Sequence, residues 1–174
     1  MLKFGIISEV DTSKGLARVN FDDDNIVSGW LPVSVPKVLN DKFFAMPDVN
    51  EHVWCVMDDN AENGVIGGSI YSAASQPVGG GADLVAVQFS DGSRVEYDRI
   101  GHKLTITVGD SVLKVSQAGL TIKKGSESLK IINDDMLQAI IQHTHPTGTG
   151  PSGAPINANV FTSIKNRLPN LLEE

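Results

Sequence analysis

The feature that most restricts the fold of this sequence is the alternation of apolar residues between positions 83 and 132. Six short segments there carry an apolar residue at every second position, and glycine-containing turns separate them. A period of two predicts antiparallel β-strands joined by tight turns. The predicted strands are 84–89, 94–98, 103–108, 111–116, 120–124 and 129–132.

A sheet of this size is too small to bury its own row of apolar side chains. Alone, it leaves two unpaired edge strands and has no bulk to place over its apolar face. Association of three copies around one axis would place the stripes inside a slender prism and pair each edge with a neighbour. We therefore predict a trimeric, intertwined β-helix, or β-prism, over residues 83–132. The alternative is a monomeric meander packed on the domain that precedes it.

Residues 1–75 predict a separate small barrel. Five apolar runs lie within about seventy residues, turn-forming clusters separate them, and no helical pattern interrupts them. This organisation is typical of a closed barrel such as an OB-fold. The runs are 4–10, 16–21, 26–33, 52–57 and 65–71, with a longer connection at 35–49. A glycine-rich linker at 76–82 ends the barrel.

The segment 133–174 is predicted to be short-helical or irregular. Asn133 is a candidate cap for a first helix and Asn157 for a second, which Pro169 would end. A loop rich in glycine and proline, 147–155, separates them. The predicted apolar faces are Met136, Leu137, Ile140 and Ile141 in the first helix, and Val160, Phe161, Ile164 and Leu168 in the second. The predicted fold class is therefore mainly β.

Charge and composition exclude several functions. The net charge of −7 argues against a nucleic-acid partner, which would need a basic surface to displace counterions. A single cysteine excludes an internal disulfide framework. No apolar run approaches the ~20 residues of a membrane span, and the first residues lack the apolar stretch of a signal peptide. No arrangement of nucleophile, base or paired carboxylates predicts an enzyme.

Four motifs, in this order, resemble one known family. They are PDVNEHVWCV at 47–56, GVIGGSIY at 64–71, FSDGSRVEYD at 89–98 and HTHP at 143–146. The chain resembles the baseplate assembly protein V family, the central spike of contractile-tailed phages and related particles. Larger relatives insert a lysozyme domain between barrel and β-helix, where this chain has only the linker.

The resemblance implies a structural role without catalysis. The OB-fold would dock in the tail hub, and the homotrimeric β-helix would point at the host outer membrane and contact it transiently. The protein would then lie at the baseplate tip of the virion, after synthesis in the host cytoplasm. A receptor-binding tail fibre and the spike of a related contractile secretion machine are the alternative functions.

His143 and His145 are the candidate metal ligands. Imidazoles at i and i+2 point to the same side of an extended backbone. Two ligands are too few in one chain, but a threefold axis would supply six nitrogens, and six-coordination favours iron over zinc. The resemblance also implies iron. The alternative is a pair of exposed histidines beside a turn; His52 and His102 are expected to be surface or strand residues.

The remaining candidates have simpler explanations. The acidic runs 22–24 and 58–59 could attract calcium but lack EF-hand spacing, so solvated turns are expected. Cys55 lies in an apolar run and is expected to be a buried thiol.

In shorter family members the metal-bearing apex lies close to the C-terminus, whereas about 30 residues follow His145 here. Those residues would either fold back or form a terminal bundle of the trimer.

Overall fold

The chain forms two compact units, Met1–Pro77 (unit 1) and Val78–Glu174 (unit 2). The computed structural model describes residues 1–21, 26–60, 62–79 and 81–172. The expected mainly β class is confirmed, because two antiparallel sheets and one short hairpin account for most of the regular structure. The division between the units falls within the segment predicted as a linker.

In unit 1, the described strands form a sheet whose two ends meet. The strands are β1 (Leu2–Asp11), β2 (Leu16–Phe21), β3 (Ile26–Val27), β4 (Leu31–Pro32), β5 (His52–Met57) and β6 (Gly64–Ser69). Their order is β3-β2-β1-β5-β6, and β4 also pairs with β2. A parallel bridge joins Val33, just after β4, to Ile66 in β6, and the Ser34 amide donates to the Ile66 carbonyl at 2.8 Å. These pairings close a ring of strands.

The predicted strand 26–33 is two short strands instead of one. Between them, the Ser28 hydroxyl accepts a hydrogen bond from the Val19 amide at 2.9 Å and donates to the Gly29 carbonyl. The side chain thus takes the place of a backbone partner and interrupts the ladder. The segment 35–49 is irregular, as expected.

The core of unit 1 lies inside this ring of strands. Alternate residues of β2 and β5 point inward and are buried, as the period-two pattern requires. Gly5 lets β1 approach β2 closely, because a Cβ there would lie 2.4 Å from the Asn20 carbonyl oxygen. The buried apolar residues are Ile7, Ala17, Val19, Phe21, Leu31, Val53, Cys55, Met57 and Ile66.

Unit 2 contains an antiparallel meander whose strands follow one another in chain order. They are β7 (Leu84–Gln88), β8 (Arg94–Asp98), β9 (Lys103–Val108), β10 (Ser111–Val115), β11 (Leu120–Lys124) and β12 (Glu127–Ser128). The first five predicted strands are confirmed within one residue at each end. The ladders from β7 to β11 continue without a bulge, so the sheet stays regular.

The sixth predicted strand, 129–132, is wrong, and so is the helix start at Asn133. The chain instead enters helix α1 (Leu129–Ile141), whose N-cap is Ser128. The Ser128 hydroxyl accepts a hydrogen bond from the Ile131 amide, which satisfies a free donor of the first turn. The predicted boundary between residues 132 and 133 therefore falls inside a helix.

After α1 the chain forms a small hairpin, a second helix and a final turn. These are β13 (Pro146–Thr147), β14 (Gly150–Pro151), α2 (Ala158–Lys165) and a 3-10 turn (Leu168–Asn170). Asn157 stands at the N-cap position of α2, but its side chain makes no capping hydrogen bond. The helix ends at Lys165 and not at Pro169, because Leu168 and Pro169 belong to the 3-10 turn. Leu172 then bridges to Leu120 in β11, so the C-terminal residues fold back on the sheet. Neither α-helix among the described residues has the length and apolar run needed to cross a bilayer.

Candidate functional site: an apolar sheet face and a histidine pair

Two rows of apolar side chains cross five strands on one face of the unit 2 sheet. Because paired residues of neighbouring strands point to the same face, the register of β7 to β11 assigns each row directly. The first row is Val85, Tyr97, Leu104, Val115 and Leu120; the second is Val87, Val95, Ile106, Leu113 and Ile122. We call these ten residues the apolar face.

The apolar face is open to solvent within unit 2. None of the ten side chains is buried, and the exposed fraction reaches 53% at Val85 and 57% at Val87. A groove lined by Leu113 and Ile122 continues from this face to Leu129 and Ile132 at the start of α1. Both of these helix residues are also exposed. Exposed apolar surface of this kind is typical of interaction sites.

The opposite face of the same sheet is polar. Its two rows are Ala86, Glu96, Thr105, Lys114 and Thr121, and Gln88, Arg94, Thr107, Val112 and Lys123. Arg94 Nε and Glu96 Oε2 form an ion pair at 2.8 Å on this face. The two faces therefore differ in composition, one mainly polar and the other apolar, although Thr121 on the polar face is buried.

The sheet also has an open edge. Strand β7 pairs with β8 on one side only, and its other side has no partner strand among the described residues of unit 2. At the far side of the sheet, β12 is only two residues long. An unpaired strand edge next to an exposed apolar face is the usual place at which another chain adds.

The second feature is the meeting of His143 and His145. Their Nε2 atoms lie 3.1 Å apart, so one imidazole can donate its Nε2–H to the other. The ring centroids are 4.5 Å apart and the rings are nearly perpendicular. Both side chains are exposed. The juxtaposition expected from the i, i+2 spacing is therefore present in the structure.

Two different elements hold these histidines. His143 follows the last turn of α1, and its amide donates to the Ile140 carbonyl at 3.3 Å. His145 immediately precedes β13, which pairs with β14 through Pro146–Pro151 and Thr147–Gly150. The pair thus lies where a helix end meets the base of a hairpin.

The two imidazole nitrogens could contribute to a transition-metal site. Two nitrogens bound at right angles to one ion at about 2.1 Å would be about 3.0 Å apart, which is close to the observed spacing. No group of three or more His, Cys, Asp or Glu side chains that could hold a metal occurs within residues 1–21, 26–60, 62–79 and 81–172. One chain could therefore supply two ligands at this point, and further ligands would be water molecules or side chains of other copies.

Two of the other sequence candidates, Cys55 and the acidic run 58–59, belong to unit 1. Cys55 is buried in the unit 1 core, where desolvation raises the pKa of its thiol to about 11. It is therefore a poor nucleophile. The Asp58 carboxylate accepts hydrogen bonds from the Glu62 and Asn63 amides, so it closes a turn. The acidic run 22–24 lies outside the described residues.

The two other histidines also belong to local structure. His52 is half-buried at the first position of β5, and its carbonyl accepts a hydrogen bond from the Ile70 amide. His102 is exposed in the turn before β9 and has a positive φ of 46°. Both positions agree with the expectation of surface or strand residues.

Sequence reasoning missed an apolar loop in unit 1. Within the irregular segment 35–49, Val38, Leu39, Phe43 and Phe44 are all exposed, Leu39 by 79% and Phe44 by 76%. An ion pair between Lys37 and Asp41, and a hydrogen bond from the Phe43 amide to the Lys37 carbonyl, hold this loop. Four large apolar residues within a segment that contains two prolines were the available signal.

No protein-family model matches the sequence, and a search of the curated proteins gives no match.

Proposed function

We propose that this protein is the central spike of a contractile phage tail or tail-like particle, a homotrimer that attaches to the tail hub and pierces the host envelope. In this proposal unit 1 is an OB-fold that docks on the hub. Unit 2 forms the trimeric β-helix, or β-prism, that carries the load. The protein has a structural role and catalyses no reaction.

The observation that carries the proposal is the exposed apolar face of unit 2. Each half-exposed side chain of this face that becomes buried would contribute about 1 kcal/mol. Three chains around one axis would bury three such faces together and pair the open edge of each β7 with a neighbouring chain. The polar opposite face would then become the outer surface of the prism.

The mechanical role follows from strand pairing between chains. A thin rod pierces a membrane only if it resists local unfolding under load. In a trimeric prism, the hydrogen bonds between chains and the interior apolar rows have to break together, so opening of a single strand is suppressed. The sheath would drive tube and spike into the host outer membrane during contraction.

The histidine pair supports a metal at the threefold axis, and we propose iron. Three copies of His143 and His145 would supply six neutral imidazole nitrogens, a set that suits octahedral coordination. When bound, the ion would link the three chains at one level without taking part in a reaction. The residues that follow the histidine pair would then return toward β11, which Leu172 contacts through its bridge to Leu120.

The apolar loop of unit 1 supports attachment to a protein partner. Leu39, Phe43 and Phe44 face solvent on a loop that an ion pair and a backbone hydrogen bond shape. Exposed aromatic residues on a shaped loop are typical anchors of protein interfaces. We propose that this loop contacts the hub.

The decisive experiment measures the mass of the purified chain by sedimentation equilibrium over a wide range of concentration. A spike requires a species of about three times 18.6 kDa. Electron microscopy of the same sample should show a tapered rod, and an antibody against the chain should label the distal end of a contractile tail. A well-folded monomer in dilute buffer would contradict the proposal.

Two neighbouring residues of β9 give a matched pair of variants. Ile106 belongs to the apolar face, and Thr107 points to the polar face beside Arg94. Ile106→Asp would place a charge in the trimer interior and should abolish the trimer, because a buried unpaired charge is strongly unfavourable. Thr107→Asp should remain trimeric. Equal effects of both substitutions would argue against a buried apolar face.

A further inference from the structure

The backbone of His145 is held on both sides by one residue, Ser152. The Ser152 amide donates a hydrogen bond to the His145 carbonyl at 2.7 Å, and the Ser152 hydroxyl accepts one from the His145 amide at 2.8 Å. The same hydroxyl donates to the Gly153 carbonyl at 3.1 Å. The hydroxyl oxygen thus has both a donor and an acceptor partner, which fixes its orientation.

This contact extends the hairpin by one residue pair at its open end. In a regular antiparallel ladder, the pair beyond Pro146–Pro151 would be His145 and Ser152, joined through two backbone carbonyls. Here a side-chain oxygen replaces the second carbonyl. The position of the His145 backbone therefore depends on the side chain at position 152, whereas the end of α1 holds His143.

We propose that Ser152 is the positioning residue of the histidine pair, and that its hydroxyl sets the affinity of His143 and His145 for a divalent transition metal ion. The inference rests on the proposed metal role of the pair. Without the hydroxyl, the His145 amide loses its partner and the imidazole is no longer held 3.1 Å from that of His143. Residues that orient metal ligands typically change metal affinity by about 10–100-fold when they are replaced.

The test uses the full chain and cobalt(II) alone as the probe, because its visible absorption reports the ligands it binds. Ser152→Thr keeps the hydroxyl. Ser152→Val introduces a side chain of the same shape as threonine but without the hydroxyl. We expect Ser152→Val and Ser152→Ala to weaken cobalt binding about tenfold, and Ser152→Thr to stay within about twofold of the parent protein. Thr149→Ala is the control, because Thr149 lies in the same hairpin and its hydroxyl contacts Thr147.

A second readout needs no metal. Hydrogen exchange of the His145 amide should be faster in Ser152→Val than in Ser152→Thr, because only the hydroxyl protects that N–H. Equal cobalt affinities in the Thr and Val variants, together with loss of binding in His145→Ala, would overturn the role of Ser152 and leave the metal site standing. Cobalt binding that His145→Ala does not change would overturn both.

Discussion

The two units use the same alternating pattern and reach opposite results. Unit 1 buries nine apolar side chains inside its own ring of strands, whereas the buried apolar residues described in unit 2 are Leu137 and Leu172. The ten residues of the apolar face stay open in unit 2. Alternation therefore predicts which side chains share a face, but closure of the sheet decides whether the chain itself buries that face.

Unit 1 contains backbone features that let its sheet bend. Strand β1 is ten residues long, carries a bulge between Ile7 and Glu9, and has Gly5 where β2 approaches most closely. Bulges and glycines let a sheet bend until its ends meet. The strands β7 to β11 have five or six residues each and regular ladders, so they form a short open sheet.

The largest expected effect is in the core of unit 1. Phe21→Ala should lower the free energy of unfolding of unit 1 by about 3–5 kcal/mol, because it leaves a cavity among buried neighbours. Both tryptophans, Trp30 and Trp54, lie in unit 1, so tryptophan fluorescence in urea measures this unit alone. The matched control is Phe44→Ala, because Phe44 is exposed. An equal loss in both variants would remove the distinction between core and loop.

The second largest expected effect is the loss of stability of unit 2 when metal is removed from the histidine pair. Removing the metal with a chelator should destabilise the trimer by about 2.7 kcal/mol if the free ion had been present at 100 times its Kd. His143→Ala should abolish the difference between metal-loaded and chelated samples in thermal melting followed by far-UV circular dichroism. His102→Asn is the control, since asparagine tolerates a positive φ. Melting that metal removal leaves unchanged would exclude a stabilising role for the pair.

An alkaline pH dependence should belong to unit 1. Burial raises the pKa of Cys55 from 9.0 to about 11, so the folded state keeps a proton that the unfolded state loses. This contribution is complete below pH 9 and disappears as the pH rises toward 11. The urea midpoint from tryptophan fluorescence should therefore fall less in Cys55→Ala than in the parent between pH 8 and pH 10.5. Equal slopes would contradict the buried, protonated thiol.

The smallest expected effect is the dependence of unit 2 stability on acidic pH. Hydrogen bonds from the Gly101 and Ile100 amides lower the pKa of the Asp98 carboxyl below 3.8. Its contribution to stability is present above pH 3.8 and disappears as the pH falls through the lowered value. Asp98→Asn should flatten this part of the pH profile of unit 2 melting. If the pH profile of melting were the same in Asp98→Asn as in the parent protein, the hydrogen bonds from the Ile100 and Gly101 amides to Asp98 would be contradicted.

Much of the fold could be predicted because runs in which every second residue is apolar are typical of β-strands and of few other structures. The strands β2, β5, β8, β9 and β11 begin and end where the alternation does. The failure at 129–132 has a clear cause, since Leu129 and Ile131 alternate as in a strand while Leu129, Ile132 and Met136 repeat as in a helix. A short apolar run is ambiguous between the two, and the capping contact of Ser128 resolves it only in three dimensions.

The histidine pair was predicted only in part. Spacing alone identified His143 and His145 as neighbours on one side of the chain. The distance between their rings depends on the end of α1 and on a hairpin closed by Ser152, seven residues after His145. No local pattern at positions 143–145 contains that information, because hydrogen bonds from outside the segment set the backbone conformation there.

By itself, the sequence determined the two strand-rich regions, the residues that share each face of the sheets, and the net negative charge. These properties depend on residue type and on a period of two, which are local. Only the tertiary structure decided that one sheet closes over its core and the other stays open, that a helix begins at Leu129, and that Ser152 holds His145. Those outcomes depend on contacts between residues far apart in the chain. The free energy of such contacts cannot be read from any single segment.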